Sequence, residues 1–305
     1  MNKVLVIGSI NFDLTQTGDM FPEIGQTLIA KSSYAGIGGK GANQAVAASR
    51  IATNSSVELI GCVGDDYLAT VILNQLKNEN LAISNIRIVP NEQTGNAIIF
   101  IDSDQNNQIS VDLGANSHCG QIEIELFKKN MSQVAVLVLQ HEIPINVNKV
   151  LLKEAKKNNI LTILDPGPYI KNSENLKNYF NLIDYLTPNL NEAEALLNQT
   201  IKKGDELNAA IKIKEMGPKN VIITLGERGL VAAGAENIFI PGVTVNSLDP
   251  VGSGDCFNGA LSIKLAEGGT FLESLNFCQK AASESTKYAG AMNSFPFISD
   301  LLNTN

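Results

Sequence analysis

The sequence is poor in the residues that mark several large protein classes. Its four cysteines, Cys62, Cys119, Cys256 and Cys278, are scattered without a Cys-x-x-Cys pair, which fits neither a disulfide framework nor a zinc site. Two histidines and a net charge of −8 argue against a surface built for nucleic acid. No stretch reaches the roughly 18 consecutive apolar residues that span a bilayer, which argues against a membrane partner. The opening Met-Asn-Lys-Val-Leu-Val-Ile-Gly runs into a strand pattern rather than a cleavable signal, so a cytoplasmic location is expected. No internal repeat, long charge run or low-complexity linker marks a separate folding unit. The 305 residues, 44% hydrophobic, can bury a large core as a single α/β domain over 1–305.

Short runs rich in Val and Ile alternate with helical patterns, as a parallel sheet covered on both faces requires. Strands are expected at 4–7, 57–63, 134–139, 161–164, 185–187 and 221–225. Helices are expected at 41–51, 67–78, 146–158, 191–197, 206–216, 255–266 and 271–288. The architecture predicted is doubly wound, a mostly parallel sheet flanked by helices. Residues 12–37 and 93–112 break the alternation: they are polar and strand-prone, with period-two passages such as Ala97-Ile98-Ile99-Phe100-Ile101-Asp102, and are expected to form a small β-sheet lid.

The chemistry concentrates at 249–260, Asp-Pro-Val-Gly-Ser-Gly-Asp-Cys-Phe-Asn-Gly-Ala. Gly252, Ser253 and Gly254 lack bulk, so successive backbone N–H groups can converge on one point, and a helix starting near Asp255 adds the positive end of its dipole. That arrangement binds an anion. A carboxylate at its rim is disfavoured beside phosphates unless it works as a base that takes a proton from an attacking hydroxyl, which makes Asp255 the candidate base of a phosphoryl transfer. Taken alone, the stretch is equally compatible with a Gly-rich turn whose Asp caps a helix.

A second motif, Gly-Gly-Lys-Gly-Ala-Asn-Gln-Ala-Val-Ala-Ala-Ser-Arg at 38–50, joins a glycine turn to an Ala-rich helix and presents Lys40 and Asn43. Gly36-Ile-Gly-Gly-Lys-Gly41 formally satisfies the dinucleotide fingerprint Gly-x-Gly-x-x-Gly. The context is wrong, because the glycines follow a predicted lid rather than the first strand, and Glu58 opens the next strand instead of closing it. It is not a phosphate-binding Walker loop either, since Gly41 rather than Ser or Thr follows Lys40.

Together the two motifs resemble the signatures of the ribokinase (PfkB) family of sugar and nucleoside kinases, and the resemblance runs over nearly the whole chain with its parts in the family's order. It implies ATP-dependent phosphorylation of a sugar hydroxyl, with Asn11, Asp13, Gly39, Lys40, Asn43 and Glu142 holding the sugar, Asp255 as base and Gly252, Ser253 and Gly254 as anion hole. Thr-Pro-Asn-Leu-Asn-Glu-Ala-Glu at 187–194 and Ile-Thr-Leu-Gly-Glu-Arg-Gly at 223–229 resemble nucleotide-side segments, implying that Asn189 and Glu192 organise phosphates and Mg²⁺ and that Thr224 and Gly226 contact ATP. Asp249, Val251, Ser285, Tyr288, Gly290 and Ser294 would surround a monovalent cation, usually K⁺. The lid would close over the sugar and be shared between two subunits of a homodimer. Within the family the motifs lie nearest those acting on the 5-hydroxyl of D-ribose, with deoxyribose, fructose or a nucleoside as alternatives. A catalytically silent sugar-sensing regulator would usually have lost the base or the anion hole, and both are present.

Several positions depart from the common pattern. Pro250 stands where Thr is frequent, which bears on the cation loop, and Leu190 replaces a Glu. His141 points to the strand face opposite its neighbours Gln140 and Glu142 and is read as structural. Cys256 follows the base at a helix N-terminus, a place that lowers thiol pKa and predicts sensitivity to oxidation.

Overall fold

Val4 and Val6 face one way along the first strand, Leu5 and Ile7 the other, and all four are fully buried, so this strand carries core on both sides. The protein is described from a computed structural model covering residues 2–104, 106–168 and 177–302. In chain order the elements are β1 (Asn2–Ile7), β2 (Asn11–Thr17), β3 (Ser32–Gly38), α1 (Lys40–Ile51), β4 (Ser55–Gly64), α2 (Tyr67–Leu76), β5 (Ile86–Val89), β6 (Gly95–Ile101) and β7 (Asn107–Asp112). There follow α3 (Gln121–Asn130), β8 (Val134–Gln140), α4 (Ile145–Lys157), β9 (Leu161–Asp165), β10 (Tyr185–Leu186), α5 (Leu190–Leu197), α6 (Glu206–Glu215) and β11 (Asn220–Thr224). The chain closes with β12 (Gly229–Ala233), β13 (Asn237–Pro241), α7 (Ser253–Ala266), α8 (Phe271–Ser285) and α9 (Ile298–Leu302).

Nine strands form the main sheet in the order β13-β12-β11-β10-β9-β8-β1-β4-β5. All neighbours are parallel except the antiparallel pairs β11–β12 and β12–β13 at one edge. One core packs α1, α2, α7 and α8 against Val4, Val6, Val136 and Val138; the other packs α3 to α6 against Leu5, Ile7, Leu137 and Leu139. The doubly wound architecture is as the sequence predicts. The predicted helix at 271–288 stops at Ser285, where Leu248 and Asp249 N–H groups take the Thr286 carbonyl. Strand β5, helices α3 and α9 and the hairpin β12–β13 escape sequence reading; β12 follows β11 after a turn too short to separate two apolar runs.

The two strand-prone segments build a second sheet, β3-β2-β6-β7. Its base is pinned to the core. Asp66, which caps α2 by accepting from Ala69 N at 2.8 Å, also accepts from the Thr94 backbone N–H and hydroxyl, both at 2.7 Å. Fully buried Asn116 accepts from Ile10 N at 2.9 Å.

Candidate active site

Only residues 8–10 separate β1 of the main sheet from β2 of the small one, so Asn11 and Asp13 stand at the junction of the two sheets. Asn116 orients Asn11, donating from Nδ2 to Asn11 Oδ1 at 2.8 Å. Gly39 precedes α1 with φ +83°, and a Cβ there would lie 2.9 Å from Asn11 N, so both conformation and space demand glycine. With Gly39 offering no side-chain cap, the first amide of α1 is met by a carboxylate: Lys40 N donates to Glu142 Oε2 at 2.9 Å, and the Ser9 hydroxyl donates to the same oxygen. Glu142 lies just past β8, where open α/β sheets place ligands. Asp13 Oδ1 and Asn43 Oδ1 are buried without a hydrogen-bond partner. Burial, with Glu142 and Asp255 nearby, pushes the Asp13 carboxyl up to about 7 despite a backbone hydrogen bond from Ala97. Unsatisfied acceptors of this kind suit a polyhydroxylated ligand, whose hydroxyls would satisfy them.

Gly252 caps α7 with φ +80°, and a Cβ would meet the Ala291 Cβ at 2.8 Å. A Cβ on Gly254 would meet nothing within 4 Å, so the helix start is open. The first amides of a helix lack intrahelical acceptors and carry its positive dipole end; here Ser253 N turns back to the Pro250 carbonyl at 3.2 Å, leaving Gly254 and Asp255 to face a ligand. Asp255, in the first turn, is almost fully buried. Its Oδ2 accepts from Asn43 Nδ2 at 2.9 Å and its Oδ1 from Gln44 Nε2 at 3.0 Å. Burial raises its pKa to about 6; Lys40 and the two amides oppose the rise and Asp165 adds to it. A carboxyl tuned in this way is ionised at neutral pH yet basic enough to accept a proton.

The Lys40 ammonium sits 2.9 Å from Asp165 Oδ2 and 4.0 Å from Asp255 Oδ1. Burial alone would depress it, but Asp165, Asp255, Glu192 and Glu142 together hold it well above its ordinary value, so it is a permanent cation. Expected as a sugar contact, Lys40 thus offers its amide to Glu142 and its charge to the carboxylates beside Asp255. Asn189 and Glu192 form a reciprocal cap at the start of α5, Asn189 Oδ1 accepting from Glu192 N at 2.9 Å and Glu192 Oε2 from Asn189 N at 2.8 Å. Burial and Asp165 raise the Glu192 pKa.

A cleft of about 600 Å³ opens on the far side of Gly254. Thr224, Gly226, Ser253 and Gly254 line it, together with Arg228, Val243, Val245, Phe257, Gln279 and Ala282. This brings Thr224 and Gly226 onto one cavity with Ser253 and Gly254 of the expected anion hole, beside an apolar wall fit for a purine, whereas Asn189, Glu192 and Gly252 do not line it. Gln279 and Asp165 lie outside both motifs, and Gln44 and Asn258 lie within them without having been singled out; the approach of α1, β9, α7 and α8 reveals their place in the site. Leu190 packs partly buried against the core of α4 and α5.

The loop at 249 brings together three of the six residues expected at a monovalent cation, Asp249, Val251 and Gly290. Asp249 Oδ1 accepts from Val251 N at 2.9 Å and Oδ2 from Gly290 N at 2.8 Å, and no ion pair of Asp249 is found among the described residues. A buried carboxylate without a cationic partner fits a cation. The Ser285 and Ser294 hydroxyls instead donate to the Ala282 and Ala291 carbonyls. The Tyr288 side chain is 61% exposed and lines a shallow cavity with Thr244, Val245, Asn246 and Lys287.

His141 is structural, as expected: its ring nitrogens pair with the Pro166 carbonyl and the Tyr179 hydroxyl, both at 2.9 Å, and burial lowers its pKa. The expectation for Cys256 is overturned. Its thiol is fully buried, and burial, with Asp255 adding to it, pushes the pKa up to about 12. Desolvation outweighs the helix dipole, so the thiolate that oxidation requires is suppressed.

Residues 1–298 match the pfkB family carbohydrate kinases. The chain is 35% identical to a ribokinase of Haemophilus influenzae over 97% of its own length and 96% of the relative's. Its structure aligns with that of a ribokinase from Thermotoga maritima at a TM-score of 0.85 and 31% identity, covering all of both chains. It aligns with an Arabidopsis thaliana ribokinase complexed with ribose and ATP at 0.85 and 27% identity, covering 99% of this chain and 97% of that one. The chain belongs to the pfkB family of carbohydrate kinases. It is a phosphotransferase acting on an alcohol group.

Proposed function

We propose that this protein is a ribokinase, transferring the γ-phosphoryl group of ATP to the 5-hydroxyl of D-ribose to give D-ribose 5-phosphate and ADP. The observation that carries the reading is the setting of Asp255: Asn43 donates to it while keeping a buried unpaired acceptor, Asp13 with its own unpaired acceptor stands in its field, and its helix neighbour Gly254 lines the 600 Å³ cleft at the open start of α7. The full-length likeness to ribokinases supports ribose as the acceptor.

In this reading Asn11, Asp13, Gly39, Asn43 and Glu142 hold the sugar hydroxyls and orient the 5-hydroxyl toward Asp255. Asp255 takes the hydroxyl proton while the oxygen bonds to the γ-phosphorus, and the bond to the leaving ADP oxygen breaks. The Gly254 and Asp255 amides, with Gly252 shaping the turn that presents them, meet the charge that spreads over the transferred group, while the expected Ser253 amide is engaged by the Pro250 carbonyl. Lys40 supplies the nearby positive charge, and closure of the small sheet excludes water that would compete as acceptor. Glu192 and Asn189 offer the hard oxygen donors suited to Mg²⁺, which supplies charge neutralisation along the triphosphate. Asp249, with Val251, Ser285, Tyr288, Gly290 and Ser294, would hold a monovalent cation such as K⁺ behind the anion hole. Leu14 and Ile98, paired across β2 and β6 and 40% and 45% exposed, give the small sheet an apolar outer face that suits a homodimer formed lid to lid. Four free, buried cysteines suit the reducing cytoplasm.

The test is ATP-dependent phosphorylation of D-ribose, 2-deoxyribose, fructose and adenosine with Mg²⁺, with and without K⁺. Selective turnover of ribose is expected. Preference for another acceptor would overturn the substrate, and no turnover of any by a protein that still binds ATP would overturn the reaction.

A further inference from the structure

Asp165 closes β9, is 3% exposed, and belongs to neither signature motif. Its Oδ1 is fixed by Gly167 N at 2.9 Å. Its Oδ2 takes Lys40 Nζ and Gln44 Nε2, both at 2.9 Å, and Asn258 Nδ2 at 3.4 Å. The same Gln44 nitrogen donates to Asp255 Oδ1 at 3.0 Å. Two carboxylates one hydrogen bond either side of a single nitrogen lie within about 6 Å of each other. Lys40 is shared unequally between them, 2.9 Å from one and 4.0 Å from the other.

A lysine free to choose between these carboxylates poses a chemical problem, because a direct ion pair with the base would make it a poorer proton acceptor. The fold answers it with an anchored competitor. Asp165 is held by donors from the backbone, α1 and α7, so its position does not depend on the ligand, whereas Asp255 must keep an oxygen for the incoming hydroxyl.

We propose that Asp165 is a positioning residue for the phosphoryl transfer: it captures the Lys40 ammonium and shares the Gln44 amide, holding Lys40 out of a direct ion pair with Asp255 and leaving that carboxylate free to take the acceptor's proton. The proposal rests on the reading of Asp255 as the base. Around Asp255 stand Lys40, Asn43 and Gln44 from α1, Asp165 from β9, Asp13 from the small sheet and Glu192 from α5, with Glu142 beyond Lys40. Lys40 and the two amides favour the ionised form of Asp255, and the other carboxylates oppose it. Asp165 therefore acts twice in the same direction, by its own charge and by detaining the cation.

Asp165→Asn keeps the size of the side chain and an acceptor for Gly167 N while removing the charge, so Lys40 would turn to Asp255. The acid limb of kcat/KM for ribose should move down by about one to two pH units. The high-pH plateau of kcat should fall roughly three- to tenfold as the base weakens, with KM for ribose changing less. Gln44→Met removes a donor from Asp255 and should move the acid limb up. Opposite shifts from two substitutions in one network are a result that general loosening of the site does not give. An acid limb that stays in place in Asp165→Asn, or moves the same way in both variants, would overturn the proposal.

A second readout needs no turnover: the pH midpoint of the Tm difference between protein carrying Asp255 and protein carrying Asp255→Asn, with and without Asp165→Asn. Because the gap opens between the unfolded and folded pKa values, its midpoint should drop by about half of that shift, roughly 0.5 to 1 unit, and the gap at high pH should narrow; a fixed midpoint with an unchanged high-pH gap sinks the proposal. If wild type fails to phosphorylate ribose, the functional reading falls while this midpoint still decides what Asp165 does.

Discussion

Replacing Asp255 by asparagine should make the protein more stable as it makes the enzyme inactive. The carboxyl titrates near 6 in the folded protein against an ordinary 3.8, a rise of about two units, and each unit is worth about 1.4 kcal/mol. At pH 8 the folded state therefore carries an ionisation penalty on the order of 3 kcal/mol. The neutral isostere removes it, and its amide can be accommodated: Asn43 Oδ1 is buried without a partner and can turn to accept from it, while Gln44 still donates to the remaining oxygen. Lys40 keeps its 2.9 Å bond to Asp165. For a chain of this size a gain of about 3 kcal/mol corresponds to a Tm rise on the order of 5 °C. The sign of the pH dependence follows from the raised folded pKa. The penalty is complete above pH 6, shrinks as pH falls from 6 toward 3.8, and is nearly gone at 3.8, so the Tm gap should be widest near pH 8, about half as wide at pH 5 and nearly closed close to pH 3.8. Turnover should fall about 10²-fold or more with nucleotide affinity little changed. Calorimetry of both proteins between pH 5 and 8 is the assay. A variant less stable than wild type at pH 8, or a gap that does not change with pH, would refute the assignment of a strained, buried carboxylate.

Gly252→Ala places a side chain at φ +80° and against Ala291; kcat should drop by about tenfold or more through displacement of the α7 amides, measured beside a melting curve that separates misfolding from lost catalysis. Asn189→Ala removes one half of the reciprocal cap of α5 and should cost about 1 kcal/mol of stability together with weaker ATP binding, read by denaturant melts and nucleotide titration. Cys256 should resist thiol-directed reagents in the native protein and react only on unfolding, since burial suppresses its thiolate; rapid native labelling followed by peptide mapping to Cys256 would contradict the structure.

The sequence made the winding of the sheet legible because its strands are short apolar runs buried on both faces, set apart by longer stretches too polar or too long to be strands. It made Asp255 and the run at 252–254 candidates for base and anion hole only when joined to the second motif at 38–50, since the glycine run alone is equally compatible with a turn that caps a helix. It did not announce Asp165, Gln44 or Asn116, for a reason that is physical. Each acts by touching a residue over 70 positions away, Asp165 at Asn258, Gln44 at Asp165 and Asn116 at Asn11, and such meetings leave no local pattern. The Cys256 thiol failed differently: its local setting, a helix start, was read correctly, but the side chain turns inward, and sequence alone does not say which way a residue at a helix terminus faces.

The place of β1 in the sheet bears on how the enzyme is made. It lies between β4 and β8, with Lys3 opposite both Ser56 and Val134, so its second neighbour is synthesised roughly 130 residues after it, a long-range pairing of the kind that slows folding. Until β8 emerges, one edge of β1 stays open, an apolar strand waiting for its partner. Of the residues proposed to grip the acceptor, all but Glu142 leave the ribosome early, and Asp255, the proposed base, leaves nearly last. Truncated or stalled chains are thus expected to be sticky and unable to perform half the reaction, and molecular chaperones would matter most between the appearance of β4 and that of β8.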